Sequence, residues 1–311
     1  MYKLKKNKIS IKKIVKFLKA RYDGPDFTIT GISSLNYPKN NSLLFYTPII
    51  NYKFELRDNL QYDLKKLEKL KNVVLLSDGK LKKSLNIPII QSKNPRFDFQ
   101  RAVIEFFTDH EYKLGIHPTA IIEKTSSIGK NVYIGAHCYI GNNVKIGSNS
   151  QIFANTTIYG EAKIGSNSVI LSNSTIGSEG FSFSYTGNEL FHFPSLGSIT
   201  IGDHVWIGSN CTVEKPQIDT TIIESHVKLD DLVHIGHNAI IKKFTQIAAG
   251  TIISGRAKIG EGCWIAPNVV FDNGCQVGKN SIVGSSSLVR RNFPKNSVII
   301  GSPARLLRKI C

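Results

Sequence analysis

The sequence predicts a mainly β protein, with a parallel β-helix that follows a small α+β domain and ends in a short tail. Two observations predict the β-helix: aliphatic residues recur at every sixth position over long stretches, and glycine, asparagine or another small residue follows them. Six is a multiple of the two-residue strand period and does not fit a 3.6-residue helix. A third observation places the other domain, because roughly the first 110 residues lack the repeat.

The six-residue repeat runs in two series. The first consists of ten isoleucines at positions 122, 128, 134, 140, 146, 152, 158, 164, 170 and 176. The second series contains Ile223, Leu229, Ile235, Ile241, Ile247, Ile253, Ile259, Ile265, Phe271, Val277 and Val283. Glycine and asparagine in segments such as "IGNN" mark turns in which a positive φ is tolerated. The pattern predicts a solenoid whose aliphatic side chains point inward.

Two stretches interrupt the repeat. The first, 178–198, reads "SEGFSFSYTGNELFHFPSLGS", and its aromatic residues and glycines predict a structured loop. The second is a short slip within 213–221, "VEKPQIDTT". Because a solenoid accepts insertions only as loops that leave the coil, often on its binding face, both stretches are candidates for a site.

The chain divides into three predicted parts: an α+β domain over 1–112, the β-helix over 113–290, and a basic tail or short helix over 291–311. In the first part, "ISIKKIVKFLKA" and "RFDFQRAVIEFF" have helical patterns. The segments "FTITGISSL", "SLLFYT" and "NVVLLS" are typical of short strands.

Composition excludes several classes of protein. No run approaches the length of a membrane span, and the lysine-rich N-terminus is unlike a signal peptide, so a cytoplasmic location is expected. The five cysteines have no CxxC spacing, which disfavours a disulfide framework or structural zinc. The net charge of +17 suits an anionic partner or simply reflects a lysine-rich composition. No nucleic-acid-binding motif accompanies it, so nucleic acid is not expected.

The segment "VHIGHNAII", 233–241, contains two histidines three residues apart. His234 precedes the inward Ile235, so its side chain is expected to face outward and to be incidental. His237 is a candidate general base, since a neutral imidazole accepts a proton near neutral pH. The alternatives are a surface histidine and a metal ligand. Zinc-dependent carbonic anhydrases that are built from hexapeptide repeats have an HxxxxH segment, and none of the eight histidines here forms that spacing.

Five segments together resemble the UDP-3-O-acylglucosamine N-acyltransferases of lipid A biosynthesis. They are "DFTITGISSLNYPKNNSLLFYTPIINY", "NPRFDFQRAVIEFF", "IGSEGFSF", "SITIGDHVWIGSNCTVEK" and "KLDDLVHIGHNAII". The resemblance implies a left-handed parallel β-helix in which three hexads make one coil. It also implies transfer of an acyl group from a thioester to the amine of a nucleotide-linked amino sugar, with no metal and no permanently bound cofactor.

The resemblance assigns catalytic roles by position. His237 corresponds to the general base, and Gly255, one coil further on, to the residue whose backbone amide stabilises the oxyanion. Asp230 and Asp231 are expected to lie near the sugar or to orient the base, and the alternative is a pair of solvated turn carboxylates. Asn238, beside the base, is expected to contact substrate.

Substrate binding is assigned in the same way. Phe45 and Tyr52 correspond to two aromatic rings that clamp the uracil, with Tyr46 as a rival to Phe45 because the interval is one residue longer than in the family. Ordinary core packing of these rings is the alternative. Gly180 and Phe181 lie in a loop that contacts either the substrate or the neighbouring coil.

Several departures from the family leave the acyl donor open. Gly274 and Cys275 stand where the family often has a second histidine, and Glu214-Lys215 replaces an aspartate-arginine pair. The final "GSPARLLRK" resembles CoA-dependent sugar acetyltransferases, which favours acetyl-CoA. A long 3-hydroxyacyl chain on acyl carrier protein is the alternative. The resemblance further implies a homotrimer with sites between subunits. A trimeric β-helix that only binds, and a metal-dependent hydratase, are the rival functions.

Overall fold

The computed structural model describes residues 2–5, 7–47, 63–79, 81, 85–110 and 113–310. The chain forms two compact units, residues 1–113 and 114–311. Within the described ranges, no helix has both the length and the apolar character needed to cross a membrane.

The first unit is the predicted α+β domain, and both of its predicted helices are confirmed. Helix α1, Ile11–Leu18, begins at Ser10, whose Oγ accepts the N–H of Lys13. Helix α2, Pro95–Phe107, begins at Asn94 and packs against a parallel sheet. The strands of that sheet are Gly31–Ile32, Ser42–Tyr46, Val73–Ser77 and Ile89–Gln91. The other elements of the unit are the strand pairs Tyr2–Leu4 with Thr108–His110 and Ile9–Ser10 with Thr28–Ile29, and the 3₁₀ helix Leu64–Lys69.

The second unit is the predicted parallel β-helix, whose coils visit three faces in the order A, B, C. Face A contains Gly115–Ile116, Tyr133–Ile134, Gln151–Ile152, Val169–Ile170, Trp206–Ile207, Lys228–Leu229, Gln246–Ile247, Trp264–Ile265, Ile282–Val283, Ser297–Ile300 and Arg305–Lys309. Face B contains Ile121–Ile122, Tyr139–Ile140, Thr157–Ile158, Thr175–Glu179, Thr212–Lys215, His234–Ile235, Ile252–Ile253, Val270–Phe271 and Leu288–Val289. Face C contains Ser127–Ile128, Lys145–Ile146, Ala162–Ile164, Ser198–Ile201, Thr220–Ile223, Ile240–Ile241, Lys258–Ile259 and Gln276–Val277.

Each regular coil consists of three hexads, because Tyr133 pairs with Gln151 and Ile134 with Ile152 one coil later. The repeated isoleucines from Ile134 to Ile176 point inward and are at most 3% exposed. Stacking these side chains gives one continuous apolar core, which explains why the repeat tolerates little other than large aliphatic residues.

The corners between faces explain the recurrent asparagines. Asn131, Asn149 and Asn238 each sit at a corner with φ between 56° and 60°, the left-handed region. Asparagine tolerates this conformation better than most residues with a side chain. The corner residue therefore turns the chain, and the residue beside it is free to carry chemistry.

Both interruptions leave the coil as predicted. The first contains an antiparallel hairpin, Phe183–Tyr185 with Leu190–His192. The second is the segment 216–219, which lengthens one coil, since Thr212 pairs with His234 where a regular coil would bring it to Asp230. The inward stacking continues across both.

The C-terminal segment differs from the prediction of a basic tail or short helix. Ser297–Ile300 extends face A in parallel, and Arg305–Lys309 returns antiparallel to it, so a helix is the wrong assignment. Burial of Val298 and Ile299 favours the strand, and Gly301, with φ of 99°, lets the chain reverse.

Candidate active site

His237 lies at the corner between faces B and C, with its imidazole directly over Gly255 of the next coil. A side-chain carbon added to Gly255 would lie 2.5 Å from His237 Nε2 and 2.8 Å from Cε1. Only glycine leaves room for the ring. Counting one regular coil of three hexads from His237 thus identified a residue in direct contact with it.

The orientation of the imidazole is set by Asn238. Asn238 Nδ2 donates to the carbonyl of Ile218 at 2.9 Å, so its Oδ1 faces His237 Nδ1 at 3.0 Å. An amide oxygen only accepts, and therefore Nδ1 carries the proton. The Asn238 N–H donates to Thr221 Oγ1 at 2.8 Å and fixes the turn. In the neutral ring the lone pair is therefore on Nε2, the nitrogen above Gly255.

Glu214 supports the same histidine from the preceding coil and is 9% exposed. Its Oε2 accepts the backbone N–H of His237 at 3.1 Å, and its Oε1 lies 3.6 Å from His234 Nε2. In the sequence, Glu214 stands out only as a departure from the family. Because this coil is longer than three hexads, counting by 18 residues does not bring Glu214 to its true neighbour. Val213 pairs with Ile235, so Glu214 aligns with Gly236, directly before His237. His234, expected to be incidental, is part of this cluster.

The backbone amide of Gly255 is an available donor. Among the hydrogen bonds of the described residues, the Gly255 N–H takes part in none, whereas its carbonyl accepts from Gly274 N–H at 2.9 Å. The residue that contacts the His237 imidazole, Gly255, therefore has a backbone N–H that is available to a ligand. A ring nitrogen that can accept a proton and a backbone N–H that can donate to an oxyanion are two elements that acyl transfer uses.

The base of the hairpin insertion also reaches His237. The Gly180 N–H donates to Ser195 Oγ at 3.0 Å, and a side-chain carbon on Gly180 would lie 3.4 Å from His237 Cβ. Phe181, the next residue, is 84% exposed, and its ring centroid lies 5.2 Å from that of Phe183. The structure therefore brings Gly180 to the site and leaves Phe181 on the surface beside it.

Asp230 and Asp231 lie at a different corner, between faces A and B. Asp231 Oδ1 accepts the N–H of Ser209 at 2.7 Å, and Asp230 Oδ1 accepts the N–H of Asp231 at 2.9 Å. Neither carboxylate is among the hydrogen-bond partners of His237 in the described chain. Both bonds close turns, and a role for these residues in the site stays a prediction.

The candidate nucleotide clamp belongs to the first unit. The Phe45 ring packs against Phe99, with centroids 4.9 Å apart, and Tyr46 packs on the opposite face of the sheet beside a cluster that includes Leu44. Tyr52 lies outside the described residues. The packing of Phe45 agrees with the alternative of an ordinary core ring, and the clamp stays a prediction.

Within the described ranges, no three histidine, cysteine, aspartate or glutamate side chains are grouped closely enough to hold a metal ion. Glu214 contacts both histidines, through the His234 side chain and through the His237 backbone N–H.

Three family models match parts of the second unit and its edge. They are described as the GMPPB C-terminal domain, over residues 111–181, the hexapeptide repeat of succinyl-transferase, over 198–229, and the bacterial transferase hexapeptide (six repeats), over 256–291. The two hexapeptide models cover coils on either side of His237, which confirms the repeat assignment.

Curated relatives with one shared name match a limited part of the chain. A UDP-3-O-acylglucosamine N-acyltransferase from Delftia acidovorans is 30% identical over 40% of this chain and 37% of its own length. The same enzyme from Hahella chejuensis is 39% identical over 29% of this chain and 26% of its own length. The matched region thus spans only about a quarter to two fifths of these relatives.

Solved structures cover more of the chain. The UDP-N-acetylglucosamine O-acyltransferase from Moraxella catarrhalis is 26% identical, with a TM-score of 0.56 over 62% of this chain and 74% of that one. The UDP-N-acetylglucosamine acyltransferase from Bacteroides fragilis is 27% identical, with a TM-score of 0.54 over 62% and 73%. The chain is therefore a hexapeptide-repeat β-helix protein that is similar, over part of its length, to the UDP-3-O-acylglucosamine N-acyltransferases.

Proposed function

We propose that the chain is an acyltransferase that moves an acyl group from a thioester to the amine of a nucleotide-linked amino sugar. One observation carries the proposal: His237 Nε2 lies over Gly255, whose N–H has no partner among the described residues, and Asn238 faces the other ring nitrogen. The names of the curated relatives support the choice of an amine acceptor on a nucleotide-linked glucosamine.

The proposed reaction uses these two groups in sequence. The sugar amine attacks the thioester carbonyl as His237 Nε2 removes a proton from the amine, so the C–N bond forms and the imidazole becomes imidazolium. The Gly255 N–H donates to the oxygen that gains charge in the tetrahedral intermediate. Collapse of the intermediate breaks the C–S bond, and the imidazolium returns its proton to the departing thiolate.

Typical magnitudes make this pair sufficient for a large share of catalysis. A positioned general base contributes about 10² to 10⁴ in rate. A preorganised oxyanion donor contributes about 10² to 10³. Glu214 touches the backbone of the base and not the reacting atoms, so we assign it a positioning role.

The finer identity of the substrates is part of the proposal. The acyl donor is either acetyl-CoA, which the segment "GSPARLLRK" favours, or a 3-hydroxyacyl chain on acyl carrier protein, as the lipid A relatives suggest. The first unit is proposed to bind the nucleotide, and the active form to be a homotrimer in the cytoplasm. Light scattering tests the trimer, and a stable monomer at working concentration contradicts a site shared between subunits.

A mass-spectrometric assay tests the function. UDP- and dTDP-linked amino sugars are incubated with acetyl-CoA or with 3-hydroxyacyl carrier protein, and His237→Ala serves as the inactive control. We expect one donor and acceptor pair to give an N-acylated product with the native protein and far less with the variant. No product from any pair, with binding of the nucleotide sugar retained, would favour the non-catalytic β-helix instead.

A further inference from the structure

Two buried polar groups beside the site have no hydrogen-bond partner among the residues that the structure describes. They are Gln217 Nε2 and Ser178 Oγ. Gln217 is only 8% exposed, and its Nε2 is shielded from solvent. Buried donors are nearly always paired in folded proteins, and an unpaired one destabilises the fold. Two such groups at one place therefore need an explanation.

Both groups border the cluster around His237. Gln217 lies in the inserted segment 216–219, and its Nε2 is 3.0 Å from the point that a side-chain carbon on Gly180 would occupy. That same point is 3.4 Å from His237 Cβ. Ser178 is the strand partner of Glu214, whose carboxylate holds the His237 backbone.

The surrounding backbone holds Gln217 in place independently of its side chain. Its carbonyl accepts the N–H of Leu196, and the carbonyl of Pro216 accepts the N–H of Gly197. The segment and the return of the hairpin are thus joined by main-chain bonds. The Gln217 Nε2 has no partner at that junction within the described chain, so turning the amide toward a ligand breaks no hydrogen bond of this nitrogen.

We propose that Gln217 and Ser178 bind the acyl acceptor and select for hydroxyl-bearing rings. An amide N–H donates to oxygen, and a serine hydroxyl both donates and accepts. A sugar hydroxyl both donates and accepts, so it satisfies such a mixed set, whereas an apolar acyl chain does not. This inference rests on the proposed function and names two further residues that contact its acceptor.

Replacing Gln217 distinguishes a role in ligand binding from a role in stability. Loss of a ligand-binding side chain raises the acceptor KM, whereas loss of a side chain that supports the fold lowers the stability. Methionine has a similar volume and no donor, so Gln217→Met removes the unpaired group without leaving a cavity. The fold should be as stable as before or more stable. Losing one hydrogen bond to the acceptor should raise its KM roughly three- to tenfold. The KM of the acyl donor should stay within about twofold.

The experiment measures both Michaelis constants and the melting temperature for the native protein, Gln217→Met and Ser178→Ala. Gln246→Met is the matched control, since Gln246 is exposed on face A, away from His237. We expect only the first two changes to raise the acceptor KM, with no fall in melting temperature for Gln217→Met. An unchanged acceptor KM, or a fall in melting temperature with both KM values altered together, overturns the inference.

The native protein separates this outcome from failure of the proposed function. If it transfers an acyl group and Gln217→Met binds the acceptor equally well, only the inference fails. If it transfers none, the function fails, and calorimetric binding of the nucleotide-linked amino sugar decides the inference. Weaker binding by Gln217→Met than by Gln246→Met then supports it, and equal or absent binding overturns it.

Discussion

Two neighbouring corners of the β-helix share one contact, a glutamate carboxylate that accepts a backbone N–H from the next coil. The two corners differ in what surrounds that carboxylate. At the corner between faces B and C, Glu214 accepts the backbone N–H of His237 at 3.1 Å. At the corner between faces C and A, Glu224 accepts the backbone N–H of Lys243 at 3.0 Å. In both, a carboxylate from one coil fixes the turn of the next.

The difference lies in burial and in what surrounds each carboxylate. The Glu224 side chain is 31% exposed and pairs with Lys242 Nζ at 2.6 Å. The Glu214 side chain is 11% exposed and lies beside His234. The hairpin and the segment 216–219 enter next to Glu214, whereas Glu224 faces solvent. At the corner of the proposed site, inserted loops therefore bury the carboxylate, and a histidine stands where the other corner has a lysine.

The largest expected effect is at the base itself. His237→Ala removes the proton acceptor, so kcat should fall by at least about 10², while binding of the acyl donor stays nearly normal. Steady-state kinetics with donor binding measured by calorimetry check this. Lys243→Ala, a change at the other corner, is the control. Near-normal turnover by His237→Ala would remove the histidine from the mechanism, and His234 would be tested next.

Gly255→Ala should come next in size, because the added carbon would lie 2.5 Å from His237 Nε2 and must displace the imidazole. Activity should fall by about 10² or more through loss of base and oxyanion geometry together. Gly260→Ala is the matched control, since its added carbon meets the backbone of Lys279 at the other corner. Equal losses of activity in both variants would show that coil distortion, and not the site, accounts for the effect.

Glu214→Ala should cost more stability than Glu224→Ala. Removing a buried carboxylate leaves the His237 N–H without its acceptor, and the expected loss in free energy of unfolding is about 1 to 3 kcal/mol. Glu214→Gln should recover part of the loss, since its amide oxygen can accept the same N–H. Urea unfolding of the four proteins measures this. A larger loss at Glu224 would reverse the comparison between the corners.

The smallest expected effect concerns pH at the exposed corner. Burial raises the pKa of Glu224, but the hydrogen bonds from Lys242 and from the Lys243 backbone outweigh it, and the pKa is lowered below 4.5. A depressed carboxylate pKa stabilises the fold above the usual value, and this stability is lost as pH falls through the folded-state pKa. Because the pair is partly exposed, Glu224→Gln should cost about 0.5 kcal/mol at neutral pH.

Urea unfolding of Glu224→Gln and the native protein at neutral and at acidic pH measures that difference. The gap should close as the pH falls below 4.5 and should shrink in high salt, since exposed ion pairs are screened. A gap that persists at acidic pH would mean that the contribution is not that of the ionised carboxylate.

The sequence was most informative where the coil is regular. A strict period of six predicted the inward isoleucines. Counting one coil of three hexads, the coil that the resemblance implies, led from His237 to Gly255, which contacts it. It was least informative where an insertion changed the count. Glu214 and Gln217 could not be placed, since the lengthened coil shifts their partners. The C-terminal strand pair was missed because Arg305–Lys309 does not alternate apolar and polar residues, and because its hairpin with Ser297–Ile300 lies outside the six-residue repeat.

The stacking of coils across both interruptions has a consequence for how such a protein can change. Three hexads after Val169 the chain has reached only Gly187, inside the first loop, yet Val169 pairs with Trp206, the next strand of face A. In the same way, three hexads after Trp206 the chain has reached Glu224, yet Trp206 pairs with Lys228. Neither loop disturbs the stack of inward aliphatic side chains, because the strands of each coil pair only with those of the adjacent coils. Loops beside His237 can therefore lengthen, shorten or be exchanged while the rungs beneath them stay in step, which makes ligand choice separable from the architecture that supports the chemistry.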